Sequence, residues 1–368
     1  MKIKPIRTGI IGAGMISEIY LKNMIHHSSV IQVEAIASAH NICAVEKAEK
    51  YGIRAVTVEE MLQDTGIQMV VILTPVQEHY QLIKDALHAG KHVYTEKTLT
   101  DNLGTAKELL ILAREKELWL GAAPDTFLGA RLQTARKVID EGMIGQVTSI
   151  VATANRQNDI MLSNYPFLRI PGCGLAYDYG VYYVTAMVSL FGSVCRTAAF
   201  VDNPFPVHLD SNPDSPEVGK EFRCENESRV SAILQFENGM NGTLHLNANS
   251  ILVDQAMFAV YGTKGILYLG SPNEFGGKII WVKNGDTTIR ETLIEELPLN
   301  FPYEDNSRGI GAADLAEAIR NGKESRVSAE MAYHVLEVLS MILTSGESGR
   351  FQEIVSRCEK PEQMHCLF

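Results

Sequence analysis

A short apolar run at residues 8–11 leads directly into Gly12-Ala13-Gly14-Met15-Ile16-Ser17, then into a helical pattern carrying Ile19, Leu21 and Met24. This strand, glycine turn and helix constrain the fold more than any other feature of the chain. Gly12 suits a tight turn off the strand, and Gly14, lacking Cβ, lets another group approach the backbone. The helix that follows begins with N–H groups that have no partner in the helix and favour an anion. The same unit then repeats. A strand at 33–37 precedes a helix with Ala44, Ala48 and Tyr51 that Gly52 ends, and 54–57 reads as a short third strand. Residues 69–73 form a clearer apolar run, closed by Thr74-Pro75. A helix at 78–89, a strand at 92–95, a helix at 103–115 and a strand at 118–122 follow. Strands alternating with helices of this length imply a parallel sheet covered on both faces.

In such a fold the glycine turn after the first strand binds the pyrophosphate of a dinucleotide. Here Gly12 and Gly14 supply the first two glycines, and Ser17 stands in place of the third. Met15 and Ile16 begin the helix and bring their backbone to the same anion. The residue at the end of the second strand normally selects the cofactor, because an acid there binds the ribose hydroxyls of NAD. The stretch Ala37-Ser38-Ala39-His40 has no acid, so Ser38 can face a 2′-phosphate without repelling it. This favours NADP over NAD weakly, since no arginine follows to pair the phosphate. The alternative is that Ser38 and His40 are plain surface residues beside a less selective pocket.

From residue 146 on the rhythm changes. Longer strands are expected at 147–154, 197–201, 229–236, 242–248, 257–261, 266–269 and 278–282, and Asn238-Gly239 between two of them is a hairpin signal. One long helix is expected at 175–191, stopped by Gly192, and two more close the chain, at 308–320 and from a Ser328 cap to 344. Residues 202–221, rich in Pro, Asp and Asn, read as a surface loop. The expected fold class is therefore an α/β Rossmann domain at 1–124 followed by an α+β domain at 125–368 with a large, mostly antiparallel open sheet. One sheet face should be covered by helices. The other is expected to pack on a partner subunit in a homodimer or homotetramer, because a broad apolar face is rarely left wet.

Composition narrows the partners. The net charge of −11 argues against nucleic acid or an anionic membrane, either of which favours a basic face. No apolar run approaches the roughly 18 residues of a transmembrane helix. Lys2, Lys4 and Arg7 before the apolar 9–16 stretch mimic a signal peptide, but Ser17 and Glu18 cut it short. Six cysteines lie scattered with no C-x-x-C pair, which points to a reducing cytoplasm and away from disulfides or a zinc site. No His/Cys/Asp cluster has metal-ligand spacing, so no metal is expected.

Three motifs in order resemble the Gfo/Idh/MocA family of NAD(P)-dependent oxidoreductases. They are the Gly12-Ala13-Gly14 loop, Thr95-Glu96-Lys97-Thr98 at the end of the fifth strand, and the stretch from Gly172-Cys173-Gly174 through Asp178-Tyr179-Gly180 to Tyr182. Thr74-Pro75 with His79, and the closing helices, extend the similarity over nearly the whole chain. The resemblance is to the dihydrodiol dehydrogenase and glucose–fructose oxidoreductase branch. It implies hydride transfer between nicotinamide and a CH–OH or C=O group of a sugar, cyclitol or related polyol. It also implies cofactor contacts from Thr74, Pro75, His79, Glu96 and Lys97. Thr98 replaces the family's proline, Val76 a frequent asparagine, and Tyr182 a common histidine. Asp125-Thr126 stands where sugar-binding members often carry two arginines.

Hydride transfer at an alcohol carbon needs a proton transfer at its oxygen. Tyr182 is the candidate acid/base, although a phenol's unperturbed pKa of about 10 is too high for a base at neutral pH. An ammonium at ~4 Å contributes at most ~4 kcal/mol at an effective dielectric of 20, roughly three pKa units. Lys97 is the candidate for that charge and for a bond to the substrate oxygen. Asp178, four residues before Tyr182, shares its helix face and would orient a substrate hydroxyl. On spacing alone Lys97 also reads as a surface lysine, Asp178 and Tyr182 as a helix-surface pair, and His79 as either a helix cap or a cofactor contact. His334 reads as a packing residue. Two rival functions remain: a cofactor-binding regulator without catalysis, and a sugar–sugar oxidoreductase with a tightly held cofactor, for which no N-terminal export segment or arm is seen.

Overall fold

The computed structural model describes residues 4–39, 41–285 and 292–364. His40 and Cys366 lie outside them. The chain divides into two compact units: residues 1–128 with 305–333 and 361–368, and residues 129–304 with 334–360.

The first unit is a six-stranded sheet. Its strands are β1 (Ile6–Ile11), β2 (Ile31–Ala37), β3 (Arg54–Ala55), β4 (Met69–Ile72), β5 (His92–Thr95) and β6 (Leu120–Ala122). All pairs are parallel, in the order β3-β2-β1-β4-β5-β6. Helices α1 (Ile16–His26), α2 (Asn41–Tyr51), α3 (Val58–Gln63), α4 (Val76–His88) and α5 (Leu103–Glu115) connect them. The interior strand β4 is apolar at every position and buried at every position, as a strand covered on both faces must be. The strand order reverses between β1 and β4, so the turns after these two strands open a crevice at the sheet's carboxyl edge. Helix α3 is only six residues long, with Val58, Met61 and Leu62 at helical spacing. It is set by a capping box in which Thr57 and Glu60 satisfy each other's backbone N–H groups.

The second unit contains α6 (Ala130–Asp140) and α7 (Asn158–Asn164) and centres on a nine-stranded sheet. Its strands are β7 (Val147–Gln157), β8 (Val194–Asp202), β11 (Arg229–Phe236), β12 (Asn241–Asn247), β13 (Asn249–Gly262), β14 (Gly265–Leu269), β15 (Ile279–Asn284), β16 (Thr292–Leu297) and β17 (Gln352–Glu353). Between β8 and β11 lie β9 (Val207–Leu209) and β10 (Glu221–Arg223), paired as a separate two-stranded sheet. The expected loop at 202–221 is thus partly a β-ribbon, its strands too short to outweigh the Pro- and Asp-rich composition around them. Only β12 and β7 pair in parallel; every other neighbour in the large sheet is antiparallel. The β11–β12 hairpin turns at Asn238-Gly239, with Gly239 at φ +84°.

One face of this sheet is covered. Alternate residues such as Ile150, Ala152, Leu234, Leu244, Leu246, Phe258 and Val260 are buried. The rings of Tyr183 and Phe191, on α8 (Val181–Phe191), pack on Phe258 and Phe236. On the opposite face Phe200 is 85% exposed and Ile294 70%. The chain's later helices are α9 (Ile310–Asn321) and α10 (Ala329–Ser348). Ser328 accepts the N–H of Met331 and caps α10 as expected.

Candidate functional site

The glycine turn has the geometry a dinucleotide requires. Gly12 sits at φ +113°, and a Cβ there would lie 2.7 Å from the Leu73 carbonyl group. The turn therefore brings β1's end against β4's end, and only glycine fits. At Gly14 a Cβ would meet nothing within 4 Å, so the space above the turn is open. Helix α1 starts there without a capping side chain, and Met15 is 77% exposed. An open cradle over an uncapped helix N-terminus fits a pyrophosphate. Ser17 does not face outward: it is fully buried, and its hydroxyl donates to Gly14 O at 2.6 Å. Lys47 of α2 reaches the same turn, donating to Gly14 O at 3.2 Å and Ser17 Oγ at 2.8 Å. The sequence carried no signal for Lys47, because only the crossover brings α2 to residues some thirty positions earlier.

Across the crevice edge, Thr74 follows β4, and its Oγ1 is buried with no hydrogen-bond partner. An orphaned hydroxyl at this edge is a second feature that fits a bound polar ligand. Pro75 occupies the N-cap position of α4 and is exposed. Ser38 lies just past β2, half-buried, and Ala37 O accepts the N–H of Gly12 at 2.8 Å, which ties the two strand ends together.

His79 is neither a helix cap nor exposed to a ligand. It is fully buried, with Nδ1 2.8 Å from Thr98 O and Nε2 3.0 Å from Thr74 O. It bridges the turn after β4 to the turn after β5. Burial lowers its pKa below the usual histidine value, opposed by those carbonyls. The Lys97–Thr98 peptide in the second turn is cis. Glu96 is committed to the protein: Oε1 accepts the Tyr20 hydroxyl at 2.7 Å, and Oε2 accepts the N–H of Lys97 at 3.1 Å. Lys97 is half-buried at the end of this turn. Asp125 is also structural rather than ligand-facing. It is buried, and Oδ2 accepts the N–H groups of Gly309 and Gly311 at the start of α9.

The second unit carries Asp178 and Tyr182. The expected single helix is in fact a π-helical turn, Ala176–Gly180, running into α8. A π turn takes in one residue more than an α turn, so four residues from Asp178 to Tyr182 fall short of one full turn. Tyr182 is 9% exposed, its ring 6.2 Å from that of Tyr179. Asp178 Oδ2 lies 3.4 Å from Arg156 Nη1, and the Arg156 guanidinium stacks 4.1 Å above the Tyr179 ring. Asp178 and Arg156 line a small pocket, open to solvent, together with Asn158, Asn226 and Glu227 on its polar side. Met161, Leu162 and Leu168 line its apolar side. Its convergent polar groups can hydrogen-bond a small polar molecule. Arg156, on β7, and Glu227, in the loop before β11, carried no sequence signal, since both meet the turn at 174–178 only in the folded unit. The missing side chain of Gly174 makes room for the Glu227 carboxylate.

His334 is a packing residue, as expected: Nε2 accepts the N–H of Val194 at 3.0 Å, and burial pushes its pKa down to about 4. No cluster of metal-ligating residues occurs among the described residues. Nor is any helix among them long and apolar enough to cross a membrane.

Comparisons with known proteins agree with this architecture. The model of an oxidoreductase family with an NAD-binding Rossmann fold, Gfo/Idh/MocA, matches residues 6–123, and that family's C-terminal domain matches 132–268. An uncharacterized oxidoreductase of Schizosaccharomyces pombe is 33% identical over 195 residues, 51% of this chain and 52% of that protein. The alignment thus spans about half the length of that relative. The trans-1,2-dihydrobenzene-1,2-diol dehydrogenase of Mus musculus is 28% identical over 90% of this chain and 95% of its own. The solved structure of a levoglucosan dehydrogenase in complex with NADH superposes with a TM-score of 0.82 at 18% identity, covering 96% of this chain and all of that one. With both family domains matched in order over most of its length, the chain belongs to the Gfo/Idh/MocA family of NAD(P)-dependent oxidoreductases.

Proposed function

We propose that this protein moves hydride between a nicotinamide cofactor and a CH–OH or C=O group of a sugar, cyclitol or related polyol. The observation that carries the reading is the second-unit pocket, where Asp178, Arg156 and Asn158 offer hydrogen-bonding groups beside the helix of Tyr182. A polyhydroxylated ring presents several hydroxyls to such a wall, each needing a partner once water is removed. The names of the dihydrodiol and levoglucosan relatives support the same class.

The cofactor would lie along the turn at Gly12, Gly14, Met15 and Ile16, with Ser38 at its adenosine end and Thr74 and Pro75 near the reacting end. The nicotinamide, when bound, gives or takes the hydride. Tyr182 would move the proton at the substrate oxygen, Lys97 would hold that oxygen, and Asp178 would orient a neighbouring hydroxyl. Glu96 and His79 serve the cofactor indirectly, by fixing the turn that ends in Lys97. Ser38 favours NADP over NAD. The chain would act in the cytoplasm as a homodimer or homotetramer joined through the open face of the nine-stranded sheet. The test is a panel of sugars, cyclitols and cyclic diols screened for a change in nicotinamide absorbance with each cofactor. Oxidation of at least one ring polyol is expected, and silence across the panel with both cofactors overturns the reading.

A further inference from the structure

The turn that presents Asp178 has no cap of its own, because Leu175 at its start makes no side-chain bond to it. It is held from another element. Glu227 Oε1 accepts the N–H of Ala176 at 2.8 Å. The carboxylate lies directly against Gly174, where a Cβ would collide with both of its oxygens. Gly174 O in turn accepts the N–H of Asp178 at 2.8 Å. Glu227 itself sits on a fixed support. On one side the Asn226 amide donates to Leu168 O and Ile170 O at 2.8 Å, and on the other the N–H of Ser228 donates to Asp202 O at 3.1 Å. Burial pushes the Glu227 carboxyl above the usual range. A half-buried carboxyl group in the wall of the pocket is a costly way to satisfy one amide.

We infer that Glu227 is a positioning residue: its carboxyl group, admitted by the missing side chain of Gly174, anchors residues 174–178 and so sets where Asp178 meets Arg156 in the pocket. The inference rests on the proposed roles of Asp178 and Tyr182. It separates two functions of one motif. The glycine at 174 serves an acid that is fifty-three residues later in the chain, and the acid acts on Asp178 through the backbone of the turn.

Three variants and one cycle test this in the full chain. Glu227→Ala should speed hydrogen exchange of the Ala176 amide at least ~10-fold, the equivalent of losing one net hydrogen bond. With a substrate from the panel it should lower kcat ~10-fold or more while leaving cofactor affinity within about twofold. Glu227→Gln keeps an acceptor oxygen and the shape, and should restore both. Gly174→Ala should reproduce the Glu227→Ala defects, yet add less than twofold in a chain already carrying Glu227→Ala, where its methyl has room. Unchanged Ala176 exchange in Glu227→Ala, multiplying effects in the cycle, or altered exchange with normal kcat would each overturn the inference. Failure of the catalytic reading shows elsewhere, as near-normal turnover in Tyr182→Phe measured in parallel.

Discussion

Asp125 Oδ2 lies 2.9 Å from the backbone nitrogen of Gly309 and accepts its N–H. It accepts a second N–H from Gly311 at 3.0 Å, so one carboxyl group covers the start of α9. Burial nonetheless pushes Asp125 up to about 6, with Glu96 adding to the rise and the two amides and Arg308 opposing it. A carboxyl raised in the folded state favours the protonated form there. Its stabilising contribution is therefore complete below about pH 4, and is lost as pH rises through about 6. Asp125→Asn keeps an acceptor but has no charge. Relative to that variant, the wild type should lose on the order of 3 kcal/mol between pH 4 and 7, measured by denaturant unfolding at each pH. A constant difference across that range would mean that the carboxylate is not raised.

Gly12 and Gly14 should fail in different ways. Gly14→Val adds a side chain into open space, so the melting temperature should stay within about 2 °C while dinucleotide affinity falls ~10-fold or more. Gly12→Ala meets the Leu73 backbone at a φ that side chains rarely adopt, and should destabilise the protein by ~1–3 kcal/mol. Unaltered affinity in Gly14→Val, by calorimetric titration, would place the pyrophosphate elsewhere.

Ser38 sets the proposed preference for NADP. Ser38→Asp should repel the 2′-phosphate and accept the ribose hydroxyls, moving the ratio of NADP to NAD affinity toward NAD by ~10-fold or more. A wild type that already binds NAD clearly better than NADP would remove the basis for this.

Tyr182→Phe should leave cofactor binding intact and lower turnover ~10²–10⁴-fold, the range for losing a general acid–base group. Lys97→Met should cost at least as much, because charge and hydrogen bond go together. Stopped-flow measurement of nicotinamide absorbance separates the two steps. Near-normal turnover in Tyr182→Phe would pass the proton to Lys97 and leave Tyr182 as a packing residue.

The open face of the nine-stranded sheet should carry the oligomer. Phe200 and Ile233 face outward on the adjacent strands β8 and β11, 85% and 50% exposed. Replacing both with arginine should convert the assembly to monomers by light scattering at micromolar concentration without unfolding the chain. A monomeric wild type would end the idea.

The sheet of the first unit was legible because its signals are local. Most of its strands are short apolar runs, α2 and α4 end at Gly52 and Gly90, and the glycine turn needs only its neighbours to declare itself. The same holds for the β11–β12 hairpin at Asn238-Gly239 and for the Ser328 cap. The family motifs added Lys97, Asp178 and Tyr182, which spacing alone would have left on the surface. What the residues around them do was not legible. His79 and Glu96 look like ligand contacts in a motif, but both are occupied within the protein, bridging turns and holding Tyr20.

Tertiary structure alone decided the partners that chain distance hides. Gly174 and Glu227, Arg156 and Asp178, and Asp125 and Gly309 stand 22 to 184 residues apart, and no period or motif links them. Nor does the sequence show that residues 305–333 join the first unit, where α9 packs on β5 and β6. An apolar helix face specifies that it must be buried, not against which sheet. A hydrogen-bonding group likewise specifies that it needs a partner, and only the closed fold supplies the one it meets. The sequence by itself therefore determined the elements and the cofactor turn, through local backbone chemistry. The shape of the pocket and the settings of its acids were decided by long-range packing.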